Sequence, residues 1–140
     1  MAKNCRFAVA VHISTLLALR GDKPATSESI SGSVNTNPVV VRRILSSLAK
    51  AGLVHSTRGI NGGSILAKPS ESITMLEINR AVDEEELPSL HHQTPNQNCP
   101  VGREIQPVLT KVMGQANAAA DAVLATITLA DVVAAIQIEP

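Results

Sequence analysis

Aromatic side chains are almost missing from this chain. Phe7 is the only one, with no Trp and no Tyr, which removes the stacking platforms on which single-stranded nucleic-acid binders and many RNA modules rely. Cysteine is scarce too, with Cys5 and Cys99 alone, and no charged-then-apolar leader ends in a small-residue cleavage site. Both absences argue against a secreted disulfide scaffold and for the cytoplasm. The most apolar run, residues 116–138, contains Asp121 and Asp131. Each would cost about 2.5 to 3.5 kcal/mol at a bilayer centre, and Asn117 and Gln137 add to that, so a membrane span is excluded. No Ser/His/Asp or paired-carboxylate constellation stands out, because the acids 83–86 form one contiguous run, the usual mark of a solvated face. No enzyme activity is expected.

What is present is unevenly spread. The chain of 140 residues, 44% apolar, has room for one ordinary domain or a small domain with an appendage. Its formal charge is zero, yet residues 1–68 carry nine Lys/Arg against two acids, a net +7, and residues 69–140 carry three against ten, a net −7. Such a split suggests a polyanion-binding first half joined to a region with another task.

Between Lys3 and Arg20, Val9, Ile13, Leu16 and Leu17 recur at helical spacing, with Cys5 and His12 on or near the same stripe, and Gly21 stops the helix. Cys5 is accordingly expected in the core. A short second helix opens at Thr26, with Ile30 and Val34 inward. Asn37 then stands as an N-cap with Pro38 at the first helical position, where its missing N–H costs nothing. In this third helix Val41, Ile44, Leu45 and Leu48 form the apolar stripe and Gly52 is the stop. The opposite face carries Val39, Arg43, Ser46 and Lys50, with Arg42 on its flank. A basic outward face on the second of two closely linked helices suits a major-groove reader, although helix, tight turn, helix is also a common packing motif.

LVHST and SILAK read as two strands joined by RGINGG. Glycines serve in such a connection because a hairpin tip needs positive φ. A phosphate-binding loop is excluded, since no GK[ST] ending follows and no helix opens after Gly63. The stretch is therefore a wing with Arg58 at its base or tip. The run SESISGSVNTNPVVVRRILSSLAKAGLVHSTRGINGGSILAKP resembles the Rrf2 family of winged helix-turn-helix transcription regulators, with AGLV, RG and GG at residues 51–54, 58–59 and 62–63 in the family's order. The resemblance extends from the helix before Gly21 to the long helix after Cys99. It implies that the helix from Asn37 enters the major groove and that Arg58 reaches the minor groove. The DNA-binding residues expected on this basis are Lys3, Ser27, Asn37, Pro38, Val39, Arg42, Arg43, Ser46, Arg58, Asn61 and Gly62.

Thr74 caps a short helix, MLEINRAV, which the acidic run DEEE ends, and LPSLHHQTPNQN is a loop. Beyond it, Val101, Ile105, Val108, Leu109, Val112, Ala116, Ala119, Ala120, Val123 and Ile127 keep one face apolar for about seven turns, roughly 40 Å. A small winged-helix core cannot cover that length. Family members are similarly dimers through such a helix, and the interface is placed on Val101, Ile105, Val108, Val112, Ala116, Ala119, Val123 and Ile127. Thr128 is an N-cap for a last short helix. The expected fold is mainly α with a small β-wing, a winged helix-turn-helix plus a long dimerisation helix. Residues 1–84 form the DNA-binding domain, 85–100 a loop, and 101–140 the dimerisation helix and C-terminal helix.

The iron–sulfur branch of the family presents three cysteines in the loop before the long helix, and this chain has Cys99 alone there, too few for a cluster. His91, His92 and Cys99 do not follow a zinc-ligand spacing, so neither metal nor cofactor is expected. Cys99 precedes Pro100 at the positive end of a helix dipole, a setting that favours the thiolate. It is a redox-sensing candidate, or else a small residue packed at the helix start. The function expected is a homodimeric, sequence-specific regulator of double-stranded DNA with a palindromic operator, read as a repressor. Two rivals stand beside it: a winged-helix protein-interaction module without DNA binding, and a thiol enzyme built on Cys99.

Overall fold

The computed structural model describes residues 5–82 and 90–136; Lys3 and the acidic run 83–86 lie outside them. The described residues to Val82, together with Leu124–Ile136, form one compact unit, and those from Leu90 to Val123 a second.

The first unit begins with α1 (Arg6–Arg20), α2 (Ser27–Val34) and α3 (Pro38–Lys50). Local chemistry starts the second and third of these. The Thr26 side chain accepts from Ser29 N–H at the head of α2, and Asn37 Oδ1 accepts from Val40 N–H at 3.1 Å at the head of α3, each satisfying one of the orphan donors of a first turn. Pro38 occupies the first turn of α3 as expected. Asn35, in the left-handed conformation with φ 63°, ends α2 and makes the tight turn between the two helices. The strands β1 (Val54–Thr57) and β2 (Gly63–Leu66) pair antiparallel, Val54 opposite Leu66 and Thr57 opposite Gly63. A short 3-10 turn, Ser70–Ser72, leads to α4 (Met75–Ala81).

The core gathers Ala10, Ile13 and Leu17 of α1, Ile30 of α2, all four stripe residues of α3, then Leu53, Ile73, Met75, Ile78 and Leu129. Val9, Leu16 and Val34 are only half-buried at its margin. Cys5 departs from expectation. It is exposed, at the position that precedes α1, because the helix begins one residue later and its apolar stripe starts at Phe7.

The second unit is dominated by the long helix α5 (Pro100–Thr126), 27 residues that run through Pro107. Cys99 accepts at its carbonyl from Arg103 N–H at 2.9 Å, which starts the helix, and donates its own N–H to the carbonyl of Asn96. No residue of α5 is buried.

The chain then returns to the first unit. Leu124, Ile127, Val132 and Val133 pack against its core. Met75 N–H donates to the carbonyl of Ile127 and Leu129 N–H to that of Ile73, both at 2.8 Å. This pairing places Thr74 opposite Thr128, and each threonine closes a capping box, with Glu77 for α4 and with Asp131 for α6 (Leu129–Ala135). Ile127 is consequently past the end of α5, in the joint that holds α6, and not on the exposed face of the long helix. The reason is that the backbone N–H groups of Met75 and Leu129 find their partners across this joint, at the carbonyls of Ile127 and Ile73.

Candidate nucleic-acid interface

The basic face of α3 is presented as its periodicity requires. With Val41, Ile44, Leu45 and Leu48 buried, Val39, Arg42, Arg43, Ser46 and Lys50 are all exposed. Pro38 is half-buried, and Asn37 is exposed with its amide oxygen committed to the cap.

The wing is tied to the helix-turn-helix by a second pairing. Ala25 and Ser64 exchange both backbone hydrogen bonds, at 3.0 and 2.9 Å. Ser64 is buried and its hydroxyl meets that of Ser56 at 2.7 Å across the hairpin. This close approach explains Gly63, where a Cβ would stand 2.7 Å from the Ala25 carbonyl oxygen. The turn is closed by Gly62 N–H donating to the Gly59 carbonyl at 2.9 Å. Positive φ was the expected reason for its glycines, and Gly59 fits it with φ 96°, but Gly62 does not. Its side is crowded instead, a Cβ falling 2.5 Å from the Thr57 carbonyl oxygen, and Asn61 takes the second left-handed position at φ 67°.

Between α3, the start of α2 and the wing lies a groove of about 470 Å³. Four of the residues singled out in the sequence, Ser27, Arg42, Ser46 and Arg58, line it from three different elements. Val39 and Arg43 stand outside that lining, on the exposed side of α3. Asn61 is exposed and Gly62 half-buried in the wing turn.

Two residues of this surface were missed in the sequence. Ile60, at the wing tip, is 96% exposed, the kind of apolar side chain that minor-groove proteins set against base steps. Its signal was its position between RG and NGG in a loop that has no core to face. The other is Glu28, whose Oε1 accepts from Arg42 Nη2 at 3.0 Å. Its signal was scarcity, since Asp22 and Glu28 are the only acids in the first 68 residues.

In the second unit, Cys99 is partly buried. Val101, Val108, Val112, Ala119 and Val123 are exposed on α5, and Ile105 and Ala116 half-buried. Among the described residues no helix is long and apolar enough to cross a membrane.

The Rrf2 family, described as iron-dependent transcriptional regulator, matches residues 4–135. A protein named as the HTH-type transcriptional regulator YwnA, of Bacillus subtilis strain 168, is 43% identical over 129 residues, 92% of this chain and 95% of its own length. A crystal structure described as that of a DNA-binding protein shares 40% identity at a TM-score of 0.74, covering 91% of this chain and 97% of that one. CymR, the global cysteine regulator of B. subtilis, shares the fold at a TM-score of 0.69 and 22% identity over 98% of this chain and 99% of its own. The family description names iron, and the donors here do not fit an iron–sulfur cluster. Such clusters take about four protein ligands, whereas the chain has two cysteines, on either side of the wing. Among the described residues no group of three His, Cys, Asp or Glu is placed to hold a metal.

Proposed function

The chain belongs to the Rrf2 family and is a DNA-binding transcriptional regulator, and from that premise we propose how it meets its operator. The N-terminal half of α3 enters the major groove, with Val39, Arg42, Arg43 and Ser46 toward the bases and Asn37, Pro38 and Ser27 toward the backbone. The wing follows the adjacent minor groove with Arg58, Asn61 and Gly62, and Ile60 at its tip. Lys3, outside the described residues, adds a phosphate contact. The observation that carries this reading is the groove lined by Ser27, Arg42, Ser46 and Arg58 between the recognition helix and the wing.

Two copies join through the apolar face of α5, at Val101, Ile105, Val108, Val112, Ala116, Ala119 and Val123. Ile127 leaves this set because it serves the joint to α6. A two-fold dimer requires a palindromic operator whose half-sites lie about one helical turn, or a multiple, apart. It acts in the cytoplasm as a repressor, by occupying that operator, and it is no enzyme. Cys99 is the point at which a thiol-reactive signal enters, since its carbonyl starts α5.

Selection of bound fragments from random duplex DNA tests the reading, and two related half-sites with salt-dependent affinity are expected. Equal binding to every duplex, or none at low salt, would sink it and leave the protein-interaction module standing. For the thiol input, Cys99→Ser should bind DNA normally and ignore an oxidant that weakens the wild type. If alkylation of Cys99 leaves operator affinity unchanged, the residue only begins the helix.

A further inference from the structure

Glu28 is out of place by charge. It stands in the first turn of α2, in a half of the molecule with nine cations and two acids, and it points its carboxylate at the recognition helix. The bond to Arg42 Nη2, 3.0 Å long, joins residues fourteen apart in sequence. Both side chains are well exposed, 69% for Glu28 and 55% for Arg42, and pairs so open to water contribute little to folding. Its location is the informative part, because Arg42 lines the groove with Ser46 and Arg58, where an unpaired arginine would take any phosphate within reach.

We propose that Glu28 is the positioning residue of this DNA interface, holding the Arg42 guanidinium by one edge so that its remaining donors read a guanine and not a backbone phosphate. The inference rests on the DNA-binding reading above and deepens it. A guanidinium offers five N–H donors in a fixed fork, and Glu28 engages one nitrogen, leaving the rest for the bidentate pattern of guanine O6 and N7. Restricting the side chain in advance lowers the ordering cost of that contact. The carboxylate also cancels the attraction of Arg42 for the phosphates of every duplex, whereas a duplex with guanine at the right place still gains the base contact. Specificity is such a difference of affinities. Because the pair is neutral as a unit, Arg42 displaces no counterion on random DNA.

The test uses the full chain as wild type, Glu28→Gln, Glu28→Asp, Arg42→Ala and the double variant Glu28→Gln/Arg42→Ala. The probes are the duplex that the wild type selects from random DNA and a scrambled duplex of equal composition. Glu28→Gln should bind the scrambled duplex more tightly, with its log affinity against log salt steeper by about 0.9 as Arg42 is released to a phosphate. Its preference for the selected duplex should fall roughly tenfold, within the range of one bidentate base contact. Replacing the half-site guanine by 7-deazaguanine, which lacks the N7 acceptor, should weaken the wild type and leave Glu28→Gln nearly unaffected. Glu28→Asp, which keeps the charge, should retain the shallow wild-type slope. In the Arg42→Ala background, Glu28→Gln should no longer change the preference. A Glu28→Gln protein with the wild-type preference and slope overturns the proposal and leaves the DNA-binding reading intact. Equal weakening on both duplexes with a lowered melting midpoint marks Glu28 as merely structural and also overturns it. A wild type that selects no sequence overturns both.

Discussion

The apolar stripe of α3 and that of α5 are written in the same residue types and end in opposite surroundings. Val41, Ile44, Leu45 and Leu48 are at most 6% exposed, whereas Val101, Val108 and Val112 are 67%, 55% and 50% exposed. The first stripe is covered by its own chain, through α1, α4 and the residues around Leu53 and Ile73. The second has no buried member along 27 residues. Amphipathic periodicity therefore states that a face needs covering, and leaves open what covers it. A long helix with a continuous exposed apolar face is a mark of an interaction surface, which supports the dimer proposed for α5.

The same charge placed on each stripe should have very unequal consequences. Leu48→Asp buries an unpaired carboxylate in the core of the first unit, at a cost of several kcal/mol, comparable with the whole stability of a small domain. That variant should lose its cooperative melting transition, seen by circular dichroism. Val112→Asp should leave the first unit folded and raise the dimer dissociation constant about a hundredfold or more, roughly 3 kcal/mol. Sedimentation at micromolar concentration reads the result. A wild type already monomeric there would remove the contrast, since α5 would then have no second copy to lose.

Within the first unit, the two faces of α3 should separate in the same way. Arg43→Ala, on the exposed face, is expected to cost about 1 to 3 kcal/mol of affinity for the selected duplex and relax preference at one position, with the melting midpoint unchanged. An unfolding shift without an affinity change would reverse the roles assigned to the two faces.

The smallest effect expected is an acid one, and it is confined to the first unit. Lys68 Nζ donates to Glu77 Oε2 at 2.8 Å, and Thr74 N–H to Oε1 at 3.1 Å. The Lys68 bond first, and the Thr74 backbone bond next, hold the Glu77 carboxyl below the ordinary glutamate range. Because the folded value is the lower one, the stabilisation is complete above the unfolded value of about 4.3 and is lost as pH falls through the folded value. The pair is more than a third exposed, so the loss should stay below about 1 kcal/mol. Glu77→Gln should flatten that part of the stability profile in urea titrations between about pH 5 and 3, and an unchanged profile would show that another carboxylate is responsible.

Much of the molecule was legible because its signals are local. Asn37 with Pro38, Thr74 with Glu77, and Thr128 with Asp131 each act within one turn, so helix starts could be read from three or four residues. The exposed basic face of α3 followed from the 3.6-residue period once its apolar stripe was recognised. Gly62 and Gly63 could be placed in the wing, but the crowding that requires them there involves Thr57 and Ala25, which no turn rule names.

The order of elements, most of the helix caps, the basic face of α3 and the apolar face of the long helix could all be read from the chain alone. Each of these is set by interactions between neighbours in the chain. The tertiary structure alone decided that Ser64 pairs with Ala25, that Glu28 meets Arg42, that Cys5 is left outside the core and that Ile127 serves the joint beside Ile73 and Met75. These outcomes depend on which segments are brought together when apolar faces leave water. The hydrophobic drive that brings them together is non-directional, so the particular polar partners are chosen only where the packed backbones come to rest.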